Sequence, residues 1–386
     1  MARQNVGNPK FYIDLPSYWR AMGNISNVTH NGVTGNNAEK LIGLNPSDFF
    51  DEQVVVDYYS YWQFKIDLEL TFYTSANHKY FLGFLGHDFE TSKLYTPQIH
   101  LYQDDGEQLD FEFTNGTWDE ICNFSGFRAL FEYNGWSLCQ IDDLGGYNFD
   151  SFRVLLARET LDPMGDDIND NNPVRNILGS ITFGQVFQMP HSPDLKLTMT
   201  REFDGIQEQT SRGGSTLTQI NYTRPPDWVG VEPWTLTGGS TGGYEDGTFR
   251  ETRSPNRGRK IWDLKFSYVS SDDLFSPNER TNGYNPTDSN TNELAGYDTI
   301  GDGSSTDFYV GEDGGGFIIK SFSDTSFIGS LMDKTMGGAL PFIFQPDGNN
   351  NSPDQFAICQ LDQSSFKFKQ VAHNVWDISL KIREVW

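Results

Sequence analysis

The sequence predicts an all-β protein made of two β-sandwich or jelly-roll-like domains, with long irregular arms and at most one or two short helices. Three observations support this prediction. Apolar residues recur at every second position, turns rich in Gly, Asn and Asp separate these stretches, and only one segment has the pattern of a helix. A period of two is that of a pleated strand with one buried face, and short strands joined by such turns are typical of antiparallel sandwiches.

The clearest alternation covers residues 62–72. Every second residue from Trp62 to Phe72 is apolar, and every intervening residue is polar. A strand places all of these apolar side chains on one face, whereas a helix would scatter them around its circumference. We therefore predict a strand here, with its apolar face buried.

Further strands are predicted along the rest of the chain. The alternating segments are 109–113, 195–199, 262–268 and 376–382. More continuously apolar segments, which are typical of strands buried on both faces, are 150–158, 340–345 and 355–361. The only predicted helix runs from Asp324 to about Met336, with an N-cap among residues 324–326, one apolar face, and Gly337-Gly338 at its end.

The order of these patterns predicts the domain organisation. An N-terminal arm (1–45) precedes a jelly-roll or sandwich domain (46–200), and an extended Gly/Ser/Pro/Arg-rich connection (201–260) leads to a second β-rich domain (261–386) with an irregular insertion at about 276–316. Long stretches without elements are uncommon inside compact domains. We expect these arms to become ordered against neighbouring subunits.

Charge and composition exclude several classes of function. The chain has 28 Lys and Arg against 53 Asp and Glu, a net charge of −25. Such a field repels nucleic acids and anionic membranes. There is no apolar run long enough for a transmembrane helix and no secretory h-region at the N-terminus. The scattered Cys122, Cys139 and Cys359 form neither a disulfide framework nor a metal pair, which indicates a reducing cytosol.

The sequence offers no convincing catalytic or metal motif. Residues 238–242 match G-x-S-x-G in letters, but a glycine-rich loop follows where a nucleophile elbow needs a helix. The six histidines lack metal-ligand spacing, and the acidic segment 166–172 lacks the spacing of a calcium loop, although Ca²⁺ binding there stays open. We predict no enzymatic activity and no cofactor. A glycosidase carboxylate pair is the remaining enzymatic alternative, because such a pair has no fixed spacing.

One short segment is positively charged, in contrast to the negative net charge of the whole chain. Five cations lie within eleven residues, opposed only by Glu251: Arg250, Arg253, Arg257, Arg259 and Lys260. Cations this close repel one another unless they are paired. They are interpreted either as a contact to an acidic surface, of the same chain or of a neighbouring subunit, or as a solvated loop before the next strand.

Four tryptophans lie near Gly, Asn and Pro turns, outside the segments in which apolar and polar residues alternate: Trp118, Trp136, Trp228 and Trp234. Exposed indole rings stack on sugar faces. They are candidate glycan contacts, and the alternative for each is packing beneath a loop.

Several segments resemble structural proteins of tailed bacteriophages. The chain start, Ala2 to Asp14, is similar to the opening of virion proteins from aquatic phages. Tyr80 to Phe89 resembles a strand and turn of phage jelly-roll domains, although Asp88-Phe89 stands where Asn-Leu is usual. Three later segments resemble strands of tail-tip proteins: Arg259 to Tyr268, Pro341 to Phe344, and Ser379 to Glu384.

The resemblance implies a non-enzymatic virion subunit, similar to distal-tail or baseplate proteins, which form rings at the end of the tail tube. The implied partners are further copies of the chain and other tail proteins, with no nucleic acid and no membrane. The implied location is the virion, assembled in the host cytoplasm, and His87 would be a turn residue without catalytic chemistry. The alternative is a carbohydrate-binding receptor or fibre module.

Overall fold

The computed structural model describes residues 6–30, 33–34, 37–45, 48, 50–54, 62–74, 78–86, 95–102, 108–111, 136–141, 148–158, 174–195, 197–203, 206–220, 259–275, 308–310, 317–319, 324–351 and 355–385. Strands dominate these residues, and every strand pair in them is antiparallel. The predicted all-β class is confirmed.

The largest unit is a ten-stranded sheet. Along its main path the order is β13 (Thr198–Glu202), β16 (Arg259–Ser270), β22 (Val375–Glu384), β20 (Ala357–Leu361), β19 (Phe342–Gln345), β1 (Lys10–Asp14), β12 (Ser180–Gln188), β6 (Lys79–Leu85) and β9 (Trp136–Ile141). A further strand, β21 (Phe368–Ala372), pairs with β22 off this path.

A six-stranded sheet forms the second layer. Its order is β3 (Val33–Thr34), β2 (Ile25–His30), β5 (Trp62–Tyr73), β10 (Asn148–Arg158), β7 (Tyr95–Tyr102) and β8 (Gln108–Phe111). Three two-stranded sheets complete the fold: β4 (Phe50–Val54) with β11 (Val174–Leu178), β14 (Ile206–Thr210) with β15 (Thr216–Ile220), and β17 (Phe308–Val310) with β18 (Phe317–Ile319).

The N-terminal segment, which we expected to be an arm, contributes a central strand instead. In β1, Phe11 lies opposite Phe187 of β12 on one side and opposite Phe344 of β19 on the other. Phe11 and Ile13 are fully buried. Strands from the two predicted domains therefore belong to one sheet, because β1 joins them, and the boundary expected between separate bodies does not divide this sheet.

Apolar side chains cover both faces of the large sheet. On one face, a cluster shared with the six-stranded sheet includes the stacked rings of Phe152 and Phe183, whose centroids are 4.6 Å apart. A second cluster on the same face lies around Trp262 and Phe344. Tyr12 and its neighbours form a third cluster, and because side chains alternate along β1, this cluster lies on the opposite face.

The long strand predicted at residues 62–72 is present as β5, but its apolar pattern is only partly buried. Phe64, Ile66 and Phe72 are buried, whereas Leu70 is 69% exposed. The register with β2 runs only as far as Ile25 opposite Leu68. Beyond that point, the side chain of Asn24 accepts a hydrogen bond from the Leu70 backbone N–H at 2.7 Å. Leu70 therefore lies past the end of its neighbouring strand.

The helical elements are short: α1 (Leu15–Ala21), a 3₁₀-helix (Ala38–Leu41), α2 (Ser271–Leu274) and a π-helix (Phe327–Met332). The helix predicted from Asp324 to Met336 is the π-helix, capped by Ser326 and shorter than predicted. Gly337 and Gly338, predicted to end the helix, have positive φ but lie in the turn that follows the helix end at Met332. In the described part of the chain, no helix is long and apolar enough to cross a membrane.

Candidate functional site

The candidate functional site is one end of the ten-stranded sheet, where β13 is the last strand. The sequence pattern predicts that Leu195, Leu197 and Met199 face a core, but all three are between 37% and 54% exposed. Met199 lies opposite Trp262, which is itself buried. The core therefore ends at β16, and the apolar side chains of the next strand extend past it. Phe203, directly after β13, is also exposed.

The charged residues beside this edge have partners within the chain. The backbone N–H of Lys260 donates to Glu384 Oε2 at 2.8 Å, and Arg383 forms an ion pair with Glu202 at 2.6 Å. Burial raises the pKa of the Glu384 carboxyl, while Lys260, Arg201 and Arg259 act in the opposite direction. These cations thus partly offset the cost of burying a carboxylate of their own chain.

Two cations of the predicted basic cluster are described. Arg259 and Lys260 begin β16 and lie close to the buried carboxylate of Glu384. Arg250, Arg253 and Arg257 lie outside the described residues. An intersubunit role for the cluster stays a prediction.

A β-hairpin follows the edge strand. Its strands β14 and β15 pair from Ile206 opposite Ile220 to Thr210 opposite Thr216. The turn is closed by the Ser211 N–H, which donates to the Ser215 carbonyl at 2.8 Å. The Ser215 N–H in turn donates to Ser211 Oγ at 3.0 Å. The hairpin therefore has a defined internal geometry.

The hairpin projects away from the sheets. Residues 207–210 and 212–219 are all exposed, among them Leu217 with 62% of its surface. No heavy atom lies within 4 Å of the position that a Cβ at Gly214 would occupy, apart from its chain neighbours. An isolated two-stranded hairpin is marginally stable in water. Among the described residues, the edge strand and this hairpin are therefore a candidate surface for a partner.

Of the four tryptophans predicted as glycan contacts, Trp136 is the one that lies in the described part of the chain. Trp136 begins β9, where its backbone lies opposite Leu85. Trp118, Trp228 and Trp234 lie outside the described residues. Glycan stacking stays untested.

The described residues also contain a serine, an aspartate and a histidine that are close in sequence or space. Ser267 donates a hydrogen bond to Asp194 at 2.6 Å, whereas His191 Nδ1 lies 2.8 Å from the Ser192 carbonyl. Ser267 and Asp194 are buried, and the histidine does not mediate between them. This is not the serine–histidine–aspartate order of a hydrolase. The G-x-S-x-G segment at 238–242 and the acidic segment at 166–172 lie outside the described residues.

Two buried polar sites were not found by the sequence analysis. Asp14 accepts hydrogen bonds from Ser17 N at 3.1 Å and from Thr182 Oγ1 at 2.7 Å. Lys334 donates to the Gly329 carbonyl at 2.9 Å, and burial lowers its pKa to about 8. Only the Asp-x-x-Ser spacing of a helix cap signals the first.

Within the described ranges, no group of three His, Cys, Asp or Glu residues is placed to hold a metal ion.

Comparisons with known proteins give no family. No family model matches the sequence, and no curated protein matches it. A solved pectin-binding carbohydrate-binding module is similar with a TM-score of 0.22 and 8% identity, over 42% of this chain and 90% of that chain. A DUF4466 family protein from Parabacteroides merdae has a TM-score of 0.14 and 9% identity, over 94% of this chain and 99% of that chain. Both TM-scores are too low to carry an argument about function.

Proposed function

We propose that this protein is a non-enzymatic structural subunit of a phage virion, which assembles into a ring at the tail tip or baseplate and joins the tail tube to other tail parts. The observation that carries this proposal is the exposed edge of the ten-stranded sheet. Leu195, Leu197, Met199 and Phe203 are all exposed along this edge, with the charged Arg201 between the last two. Several large apolar side chains exposed along one edge are typical of protein–protein contacts.

The sequence resemblance supports the same proposal in a second way. The five phage-like segments overlap with strands β1, β6, β16, β19 and β22. All five strands belong to the ten-stranded sheet, although they are distant in sequence. The resemblance therefore concerns one continuous structural unit.

The buried polar groups also fit a structural role. The Asp14 carboxylate is fully buried and bonded to Ser17 and Thr182, and Lys334 is bonded to a backbone carbonyl. Asp14 caps the start of α1, and Lys334, just after the π-helix, donates to a carbonyl inside it. Their chemistry is that of helix caps and buried hydrogen bonds, which stabilise a fold.

The experiment that tests the proposal is localisation in purified particles. An antibody raised against the protein is used for immunogold labelling of intact phage. We expect gold at the distal end of the tail. Particles without label, or label confined to the head, would contradict the proposal.

A glycan array with the purified protein tests the alternative carbohydrate-binding function. We expect no selective glycan. Selective binding that is lost in a variant with Trp136→Ala, or with an alanine at Trp118, Trp228 or Trp234, would favour the receptor module instead. A variant with Tyr268→Ala, an exposed aromatic outside this set, is the control.

A further inference from the structure

We infer that the β14–β15 hairpin of one copy docks on the β13 edge of a second copy of this chain. This inference rests on the proposed assembly function and names the two surfaces that meet. The contact is heterologous, since a hairpin on one copy meets a strand edge on the next, and such contacts generate rings when the rotation closes.

The β13 edge is a template for a further strand. β13 pairs with β16 on one side, and no other described strand pairs with it. An edge strand presents backbone N–H and C=O groups that accept another strand, unless charges or prolines block it. In β13, Thr198, Met199 and Thr200 are uncharged and exposed, whereas Arg201 and Glu202 at its end are charged. Glu202 forms an ion pair with Arg383 of the same sheet. The first part of the edge, with exposed Leu197 before it, therefore carries no charge that would block a further strand.

The hairpin has the dimensions and chemistry to fill this edge. β13, β14 and β15 are each five residues long. The hairpin's cross-strand pairs are mostly uncharged, such as Gln207 opposite Gln219 and Thr210 opposite Thr216. Leu217 of the hairpin is exposed. Docked on the β13 edge, it would contact the exposed apolar side chains between Leu195 and Phe203.

Charge identifies the occupant as a second copy. From residue 195 to residue 220 the chain carries three cations (Lys196, Arg201, Arg212) and three acids (Glu202, Asp204, Glu208), a sum of zero. The whole chain carries −25. Two copies therefore repel each other over most of their surfaces, but not over this segment. A strongly basic partner would instead be drawn to the acidic remainder of the surface.

Photo-crosslinking from the hairpin tests the inference. A benzophenone amino acid replaces Leu217, and ¹⁴N-labelled and ¹⁵N-labelled proteins are mixed before irradiation. We expect mixed-isotope crosslinks that map to residues 195–203. The same probe at Val371, an exposed apolar position on β21, is the control and should give no such product. Crosslinks from position 217 that remain within single chains would overturn the inference.

Charge insertion gives an independent test of the same contact. Leu217→Glu and Met199→Glu each place a negative charge into the neutral segment, and each should weaken self-association at least about tenfold by sedimentation. Val371→Glu adds the same charge elsewhere and should leave self-association within about twofold. Equal effects of all three variants would overturn the inference, as would a wild-type chain that is monomeric at its solubility limit. Tail-tip labelling in either case would leave the proposed function standing.

Discussion

At the scale of single residues, Asp14 is a buried carboxyl group that joins a strand to a helix. It ends the central strand β1 and caps α1, with its carboxylate bonded to Ser17 and Thr182. Burial raises the pKa of Asp14 to about 6, although these hydrogen bonds act in the opposite direction. The folded protein therefore holds the Asp14 proton more tightly than the unfolded chain, whose carboxyl has a pKa of 3.8.

The Asp14→Asn variant tests this pKa through the pH dependence of the free energy of unfolding. The stabilisation from protonating Asp14 is complete below pH 3.8 and is lost as the pH rises through about 6. The wild-type free energy of unfolding, relative to the variant, should fall by about 2 kcal/mol between pH 4 and pH 7. Urea denaturation of both proteins across this range measures the difference. If the difference in unfolding free energy between the two proteins did not change with pH, the pKa of Asp14 would be the same in the folded and unfolded states. That result would contradict the assignment.

A second residue-scale prediction concerns Gly184, which lies opposite Asp14 in the register of β1 and β12. A Cβ at Gly184 would overlap the Ile13 carbonyl oxygen, which belongs to backbone and cannot move aside. Gly184→Ala should therefore lower the free energy of unfolding by about 2 kcal/mol or more. Gly213→Ala is the matched control, because its Cβ would meet only Ser211 Oγ at 4.0 Å. Equal stabilities of the two variants would contradict the close approach of β1 and β12.

At the scale of elements, the closing strand β22 is the centre of the second half of the sheet. It pairs with β16, β20 and β21. Its Ile378, Leu380 and Ile382 side chains are buried, and the exposed Ser379 alternates with them. The period-two pattern of the sequence predicted this arrangement correctly, because one face of the strand lies on a core.

Ile378→Ala tests the burial of this strand. Removing a fully buried branched side chain leaves a cavity, so the free energy of unfolding should fall by about 2–5 kcal/mol. Ser379→Ala changes the neighbouring exposed position and should stay within about 0.5 kcal/mol of wild type. Chemical denaturation of both variants provides the values. A change below about 0.5 kcal/mol for Ile378→Ala would show that the strand faces solvent there.

The element scale also shows which features the sequence could predict. Strands such as β5 and β22 follow from local alternation, and the glycines at 337–338 indicate a turn from their own backbone freedom. Pairing between β1 and β19 joins residues more than 300 positions apart, and no local pattern encodes it. The exposure of Met199 was missed for the same reason, since alternation shows that a face is apolar but not whether another element covers it.

At the scale of the whole molecule, β1 makes one sheet of two predicted domains. The segments assigned to 46–200 and 261–386 contribute strands on either side of β1. Breaking β1 from either neighbour exposes the buried Phe11 and Ile13. The strands on both sides of β1 should therefore unfold together, with the same free energy of unfolding.

Hydrogen exchange under increasing denaturant tests this cooperativity. Peptides that cover β6 and β22, on opposite sides of β1, should lose protection at the same denaturant concentration. Separate midpoints for the two strands would instead indicate two independent domains. Gly184→Ala should shift both midpoints together, because its clash is at β1.

We propose that this chain is an assembly subunit whose hairpin binds the sheet edge of the next copy. A cryo-EM map of the native particle tests this contact. We expect a ring of copies in which residues 206–220 lie along β13 of the adjacent copy, with Leu217 against the side chains between Leu195 and Phe203. A map in which each hairpin stands free, or in which β13 faces solvent in every copy, would contradict it.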